Sequence, residues 1–267
     1  MPDTFYYLYC LTDKSKNKFS SRGVDKKKVY TLSHKDVTAV ITEVDSKEFD
    51  PKKIKSKLED TVWAEEKVRN HESVIREAIE MEGAVIPLKF LTLYKSKVKI
   101  ENLLKKQYGQ FRNLLNKLKG KTEWGLKIYV VNKESLMEAI KKEDEEIIKL
   151  KAELSEKPEG VKYFLEKKLE KRISEKLNAQ LDKYLKDIFE ICIPFSMEKP
   201  QILKPLPEGL GDKGREMILN VSYLVRDEKA GEFKKTIQRV HNYYFSKGLW
   251  IEHTGPWPPY SFVSQSP

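Results

Sequence analysis

The sequence has few cysteines and lacks any long apolar run. Only two of its 267 residues are cysteines, Cys10 and Cys192. Each lies inside an apolar segment, and the two form no C-x-x-C pair, so we predict buried thiols in a reducing compartment rather than a zinc or redox motif. No stretch approaches the ~18 apolar residues of a membrane span, and Asp3 stands where a signal peptide needs positive charge. These absences predict a soluble, intracellular protein.

Motifs of the common catalytic and cofactor sites are also missing. The four histidines form no H-E-x-x-H motif, and there is neither a G-x-S-x-G elbow nor a P-loop lysine. The segment GLGDKG at 209–214 matches G-x-G-x-x-G. A proline-rich stretch precedes it and a predicted strand follows it, whereas a dinucleotide site needs a strand before and a helix after. We therefore predict a loop there, no enzymatic activity, and no catalytic, cofactor-binding or metal-binding residue.

One histidine lies on the apolar face of a predicted helix. His71 follows Ala64 and Val68 and precedes Ile75 at helical spacing, while Glu72 beside it points elsewhere. An imidazole titrates near neutral pH and could serve as an acid or base. The spacing favours a packed histidine that is hydrogen-bonded to a neighbouring strand.

Charged residues are abundant. Lys and Arg number 51 against 41 Asp and Glu, for a net charge of +10. The surplus suits an anionic partner, but acidic residues alternate with basic ones along most of the chain, which is typical of a solvated surface. The segment KKKVY at 26–30 is basic with an aromatic residue, yet no segment matches an RNP1 motif. We therefore expect neither a nucleic-acid partner nor a membrane span. Binding of RNA or DNA is kept as the alternative function.

Hydrophobic periodicity predicts an α+β domain at 1–120, with a small mixed or antiparallel sheet and packed helices. Apolar runs predict strands at 5–11, 37–44 and 84–94, with Pro87 needing an edge or bulge position. Apolar residues at three- and four-residue steps predict helices at 58–82 and 98–118.

From Glu123 onward the predicted elements follow a βαββαβ order, which favours a ferredoxin-like domain at 121–267. A long loop is predicted at 196–214. The boundary is placed near Gly120; the alternative assigns the strand at 123–131 to the first sheet. The other predicted elements are a helical stretch at 133–154, a long charged helix at 161–189, a short strand at ICIPF (191–195), a strand at 217–225, a helix at 228–246 and a strand at 249–253.

The tail, residues 254–267, contains no acidic or basic residue. Pro256 and Pro259 have the P-x-x-P spacing of a polyproline ligand, but the aromatic residues around them favour burial. We predict that Trp257, Tyr260 and Phe262 anchor the tail against the C-terminal domain, with part of its surface left for a partner. The candidates for partner binding or tail anchoring are Trp257, Pro258, Pro259, Tyr260 and Phe262.

The segment TGPWPPYSFV at 254–263 resembles the C-terminal signature of the gas vesicle accessory proteins F and L. FYYLYCL at 5–11, AVIPLKFLTLY at 84–94, EWGLKIYV at 123–130 and MILNVSYLV at 217–225 also resemble that family, as does WAEEKVRNHESVI at 63–75, which places His71 at its usual histidine. One departure is the segment Lys89–Thr92, because the family often has Arg-Phe-Gly-Thr there. The absence of that glycine argues against a tight backbone approach at Leu91.

The resemblance implies a two-domain α+β protein with ferredoxin-like character and no enzymatic role. It also implies an accessory or minor structural component of the cytoplasmic gas vesicle. The partners that it implies are the major gas vesicle shell protein and other accessory proteins. The sequence does not separate the F type from the L type.

Overall fold

The computed structural model describes residues 4–13, 18–204 and 215–263. The predicted loop at GLGDKG lies outside these residues. The chain divides into two compact units, Met1–Glu123 with Gly255–Pro267 and Trp124–Thr254. The first boundary falls close to the one predicted near Gly120, but the C-terminal residues group with the first unit.

The described residues of the first unit form a five-stranded antiparallel sheet and four helices. The sheet has the order β2-β3-β1-β4, and β5 also pairs with β1. Because β1 is central, most of its side chains are buried, which explains its continuous apolar run. The elements are β1 (Thr4–Asp13), β2 (Val29–His34), β3 (Val37–Asp45), α1 (Pro51–Lys57), α2 (Thr61–Glu82), β4 (Val85–Pro87), β5 (Leu93–Tyr94), α3 (Lys97–Lys106) and α4 (Tyr108–Leu118).

Local sequence signals fix the ends of α2, the helix that carries His71. The Asp60 side chain accepts hydrogen bonds from the backbone N–H groups of Val62 and Trp63, so the helix begins at Thr61 rather than at the predicted residue 58. Gly83 ends it with φ 70°, the left-handed C-cap that glycine favours.

Two predicted elements of the first unit are each divided in the structure. The predicted strand at 84–94 forms only β4 and β5, because a turn at Lys89–Thr92 separates them; its Thr92 N–H donates to the Lys89 carbonyl over 3.1 Å. The predicted helix at 98–118 divides into α3 and α4 at Gln107, where φ is −110° and ψ is 16°. Both helices keep the predicted apolar stripe buried, with Ile100, Leu104 and Phe111 almost inaccessible.

The second unit contains a four-stranded sheet with the order β7-β8-β6-β9. Because β6 belongs to this sheet, the alternative assignment of residues 123–131 to the first sheet is wrong. The apolar core lies between the sheet and the helices and includes Leu126, Tyr223 and Phe233. The elements are β6 (Lys121–Val130), α5 (Lys133–Glu143), α6 (Glu145–Glu156), α7 (Glu159–Cys192), β7 (Gln201–Ile202), β8 (Glu216–Arg226), α8 (Ala230–Phe245) and β9 (Leu249–Trp257).

The predicted strand at 191–195 is wrong. Ile191 and Cys192 are the last residues of α7, and residues 193–195 form a 3₁₀ turn. Cys192 continues the four-residue apolar spacing of the helix after Ile188, and both side chains are fully buried. Pro194 then prevents further helix. The second strand of the unit is instead β7, inside the region predicted to be a loop.

Two further helical predictions of the second unit differ from the structure in their bounds. α7 is longer than the predicted 161–189 at both ends. The helical stretch at 133–154 is divided at Asp144, whose side chain accepts a hydrogen bond from the Ile147 N–H and so begins α6. In the described part of the chain, no helix combines the length and apolar character that crossing a bilayer requires.

Candidate functional site

The candidate site is the tail and the part of the first unit that holds it. β9 continues to Trp257, four residues beyond its predicted end, and Tyr260–Phe262 forms a 3₁₀ turn. The tail groups with the first unit, so the prediction that it packs on the C-terminal domain is wrong. The physical reason is that the polar partners of its side chains lie on α2 and at Glu123.

A chain of hydrogen bonds links the tail to the central strand of the first sheet through His71. The Tyr7 hydroxyl lies 3.0 Å from His71 Nδ1, and the Tyr260 hydroxyl lies 3.1 Å from His71 Nε2. The Tyr260 hydroxyl also donates to Glu72 Oε1 over 2.8 Å. The predicted packed histidine bonded to a neighbouring strand is therefore present, but Glu72 joins the same network instead of pointing elsewhere. We call Tyr7, His71, Glu72 and Tyr260 the tail network.

The direction of each hydrogen bond in the tail network follows from its ends. The Leu91 N–H donates to the Tyr7 oxygen over 3.0 Å, which leaves the Tyr7 proton to be donated to His71 Nδ1. At the other end, the Glu72 carboxylate only accepts, so Tyr260 donates to it and accepts from His71 Nε2–H. A neutral imidazole protonated on Nε2 satisfies the bonds to Tyr7 and Tyr260.

The surroundings of His71 keep it neutral. Its side chain is 1% exposed, and the rings of Tyr7, Tyr9 and Phe90 lie 5.7–5.8 Å from its ring centre. Burial lowers the pKa of His71 to about 4, against the opposing effect of a backbone hydrogen bond with Leu88. Burial and the Glu72 carboxylate raise the pKa of Tyr260, so its hydroxyl remains a donor. The network therefore holds the tail in place through a neutral imidazole and a protonated phenol.

A second polar contact holds the end of the tail. Both oxygens of Glu123 accept from Ser261, one from the backbone N–H over 2.8 Å and one from Oγ over 2.6 Å. Glu123 is 6% exposed, so these bonds satisfy a buried carboxylate. Pro258, Pro259 and Val263 are buried beside these contacts. The tail is therefore held by hydrogen bonds and by apolar burial together.

Leu91 adopts a backbone conformation that glycine would adopt more easily. Its φ is 66°, in the left-handed region, at the position where the resembling family often has glycine. This conformation directs its N–H to the Tyr7 oxygen. The close backbone approach that the sequence argued against is therefore present, although a leucine side chain makes it more strained.

An open groove lies beside the tail network, within the first unit. Its volume is about 450 Å³, and it is lined by α2, Thr122 and the start of the tail. Its apolar wall comes from Ile79, Pro256 and Trp257, and its charged edge from Arg76 and Glu80. The Trp257 ring is 45% exposed. We call this feature the tail groove.

The five candidate residues of the tail divide into two groups. Tyr260 is half-buried and bonded in the tail network, and Pro258 and Pro259 are buried. Phe262 is also half-buried. Trp257 faces the groove and is exposed, so its burial does not anchor the tail. Whether any of these residues binds a partner stays a prediction.

Sequence reasoning did not identify Tyr7, Glu72 and Glu123 as partners of the tail. Tyr7 lies in an apolar run and resembles a core residue, while Glu72 and Glu123 are two among many carboxylates. A weak signal exists for Glu123, because it directly precedes the apolar run of β6 and yet has an acidic side chain.

The described side chains include neither a cluster of metal ligands nor an exposed thiol. Within residues 4–13, 18–204 and 215–263, no group of three or more His, Cys, Asp or Glu is placed to hold a metal ion. The two thiols are buried, and burial raises the pKa of Cys192 to about 12. A thiol with such a pKa is a poor nucleophile at neutral pH.

The fold and the site define a class of α+β protein in which the first unit binds the chain's own aromatic, proline-containing C-terminal segment. The family model described as "Gas vesicle synthesis protein GvpL/GvpF" matches residues 5–264. The chain therefore belongs to the GvpL/GvpF family of gas vesicle proteins.

Proteins named L and proteins named F both match this chain over almost its whole length. Gas vesicle protein L of Streptomyces sp. (strain CB03234) is 25% identical and covers 98% of this chain and 93% of its own length. Gas vesicle protein F1 of Halobacterium salinarum is also 25% identical, over 96% of this chain and 92% of its own. Equal identity to an L and an F protein does not separate the two types.

Solved structures share the fold. The crystal structure of GvpF from Anabaena sp. PCC7120 matches with a TM-score of 0.77 at 19% identity, covering 98% of this chain and 99% of that one. The structure of GvpF from Microcystis aeruginosa matches with a TM-score of 0.69 at 18% identity, covering 97% and 98%.

Proposed function

We propose that this protein is a non-enzymatic accessory protein of the cytoplasmic gas vesicle that binds the major shell protein and other accessory proteins during assembly. Membership of the GvpL/GvpF family over residues 5–264 is the observation that carries the proposal. Similarity to proteins named for the gas vesicle supports the cellular setting but not a particular partner.

The tail groove is the proposed contact surface for the shell protein. Its exposed Trp257 supplies a large, rigid ring, and tryptophan is enriched among the residues that dominate binding energy. Ile79 and Pro256 extend the apolar surface, while Arg76 and Glu80 provide polar contacts at the edge. A groove with this composition suits an apolar segment that ends in polar residues.

The chemistry of a shell subunit explains why such a partner is needed. A small subunit with apolar faces and open strand edges aggregates unless those surfaces are covered before it polymerises. A charged, folded partner with an apolar groove keeps the subunit dispersed and releases it to the growing shell. No chemical step is required of the partner.

Co-purification of the full-length protein with the shell protein tests the proposal. We expect the wild-type protein to retain the shell protein, and Trp257→Ala to weaken binding by about tenfold or more, as expected for a central tryptophan contact. The matched control is Phe164→Ala, which removes a 73% exposed aromatic ring from α7 in the other unit.

Three outcomes contradict different parts of the proposal. If the wild-type protein binds neither the shell protein nor another accessory protein, the assembly function is wrong. If Trp257→Ala binds as wild type does, the groove is not the contact. If the two variants weaken binding equally, the effect is not specific to the groove.

We also propose that the second unit is a ferredoxin-like domain that folds separately from the first. The order β6, helices, β7, β8, α8, β9 is a βαββαβ order, and its first and third strands are the two central strands of the sheet. Limited proteolysis that yields a stable fragment of the second unit supports this proposal, whereas simultaneous loss of both units contradicts it.

A further inference from the structure

The net charge of the chain is concentrated in one short segment. Residues 95–121 contain nine Lys or Arg and a single acidic residue, Glu101. The rest of the first unit contains seventeen basic and seventeen acidic residues, and the second unit contains 25 and 23. The alternation of charges seen along most of the chain therefore fails at α3 and α4.

Many of these lysines are exposed and lack a charged partner. Lys95, Lys99, Lys105, Lys106 and Lys119 are exposed, and none of them forms an ion pair with another described residue. Exposed amides of Asn102, Gln110, Asn113 and Asn116 lie along the same two helices. We call these five lysines and four amide residues the basic face.

The other basic side chains of the segment include two that are already neutralised. Arg112 forms ion pairs with Asp13 and Asp36, and Lys97 lies 3.0 Å from Glu43 Oε1. Their charges are therefore used within the first unit. What remains are the five lysines of the basic face, none of which forms an ion pair with another described residue.

We propose that the basic face binds an acidic segment of a partner protein, independently of the tail groove. Lys99 and Lys106 are two helical turns apart, about 10 Å along α3, the spacing at which carboxylates repeat on an acidic helix. Lysines supply the charge, and the intervening amides donate further hydrogen bonds to carboxylate oxygens. Such a surface accelerates association and selects partners by charge.

The composition of the basic face favours a polypeptide over nucleic acid or a membrane. Its nine residues include no aromatic ring on which a base could stack and no arginine, the residue that most often contacts guanine. The apolar sides of the two helices are occupied, since Ile100, Leu104, Phe111 and Leu115 are at most 1% exposed. Val98, an exposed valine of α3, offers little apolar surface for insertion into a bilayer.

The experiment measures binding of the full-length protein to three labelled polyanions at ~150 mM salt. The probes are polyglutamate of about 20 residues, duplex DNA of about 20 base pairs and phosphatidylglycerol vesicles. The test variant combines Lys99→Gln, Lys105→Gln, Lys106→Gln and Lys119→Gln. We expect it to bind polyglutamate at least about tenfold more weakly than wild type.

The control variant makes the same change of charge elsewhere. It combines Lys149→Gln, Lys168→Gln, Lys183→Gln and Lys235→Gln, four exposed lysines of the second unit without an ion pair to another described residue. Circular dichroism verifies that both variants are folded. The proposal is supported if the control variant still binds polyglutamate and if the wild-type protein binds polyglutamate more tightly than DNA or vesicles. Equal loss in both variants, no polyglutamate binding by wild type, or tighter binding of DNA or vesicles overturns it.

Discussion

In the second unit, charged side chains pair with one another along α7, whereas in the first unit Glu72 enters a buried network and the five lysines of the basic face form no ion pair with another described residue. Ion pairs on α7 join Lys167 to Glu170 and Lys186 to Glu190 at helical spacing. In the first unit, the Glu72 carboxylate is bound by the tail instead of by a lysine. Equal abundance of charge therefore has different consequences in the two units.

Ion pairs between neighbouring helical turns and hydrogen bonds between distant buried residues therefore contribute differently to stability. Exposed ion pairs between neighbouring turns contribute little because water screens them. A hydrogen bond at a buried site contributes more, since breaking it leaves a desolvated polar group without a partner. We expect stability to depend on the tail network in the first unit and mainly on apolar packing in the second.

The largest expected effect comes from the apolar cores and tests whether the units unfold separately. Phe49 in the first unit and Phe233 in the second are both fully buried. Each change to Ala should reduce the free energy of unfolding by about 3–5 kcal/mol. Hydrogen exchange should show faster opening only in the unit that carries the change. Equal acceleration in both units would mean that they unfold together.

The pH dependence of stability tests the buried imidazole. Because the pKa of His71 is about 4 in the folded protein and about 6.5 when unfolded, the unfolded state binds the extra proton between these values. The contribution of the neutral His71 to the free energy of unfolding is therefore complete above about pH 6.5 and is lost as the pH falls toward 4. We expect the free energy of unfolding to decrease by about 2 kcal/mol from pH 7 to pH 5.

Urea denaturation at the two pH values measures this decrease. The control is His71→Gln, in which the part of the slope due to His71 should disappear. His253 remains in both proteins, and burial lowers its pKa as well, so only the difference between the two slopes reports on His71. Identical slopes in wild type and variant contradict the assignment of a neutral buried His71.

Removing a single hydroxyl tests the attachment of the tail. Tyr260→Phe leaves His71 Nε2 and Glu72 Oε1 without this partner and should cost about 1–2 kcal/mol in thermal or urea denaturation. The control is Tyr30→Phe, which removes a hydrogen bond to the more exposed Glu43 and should cost less. Equal costs would show that the tail network is no stronger than a surface contact.

The strained backbone at Leu91 offers a comparison of two small residues. At most positions Ala is more stable than Gly, but with φ 66° the order should reverse. We expect Leu91→Gly to be more stable than Leu91→Ala by about 1 kcal/mol, as measured by the midpoint of urea denaturation. Because both variants remove the leucine side chain, the loss of its packing cancels. A more stable Ala variant would contradict the strain.

The smallest effect concerns the paired surface of α7. Lys186→Gln removes the ion pair with Glu190 and should change the free energy of unfolding by less than about 0.5 kcal/mol, measured by urea denaturation at low and high salt. A larger loss that disappears at high salt would show that the ion pairs of α7 act as a network.

Much of the secondary structure could be predicted because its signals are local. The four-residue apolar spacing of α7 and the glycine at the end of α2 lie within the elements they specify. The segment at 191–195 was misassigned because a short apolar run does not distinguish a strand from the end of a buried helix. The basic face needed only a local count of charge, which the average over the chain conceals.

The periodic elements, the family resemblance and the unusual composition of the tail can all be read from the residues alone. The place where the tail binds, the carboxylates that hold it and the left-handed backbone of Leu91 depend on the folded chain. The physical reason is the range of the interactions. His71 and Tyr260 are separated by 189 positions, and no local pattern indicates which of many distant polar groups a buried hydroxyl will meet.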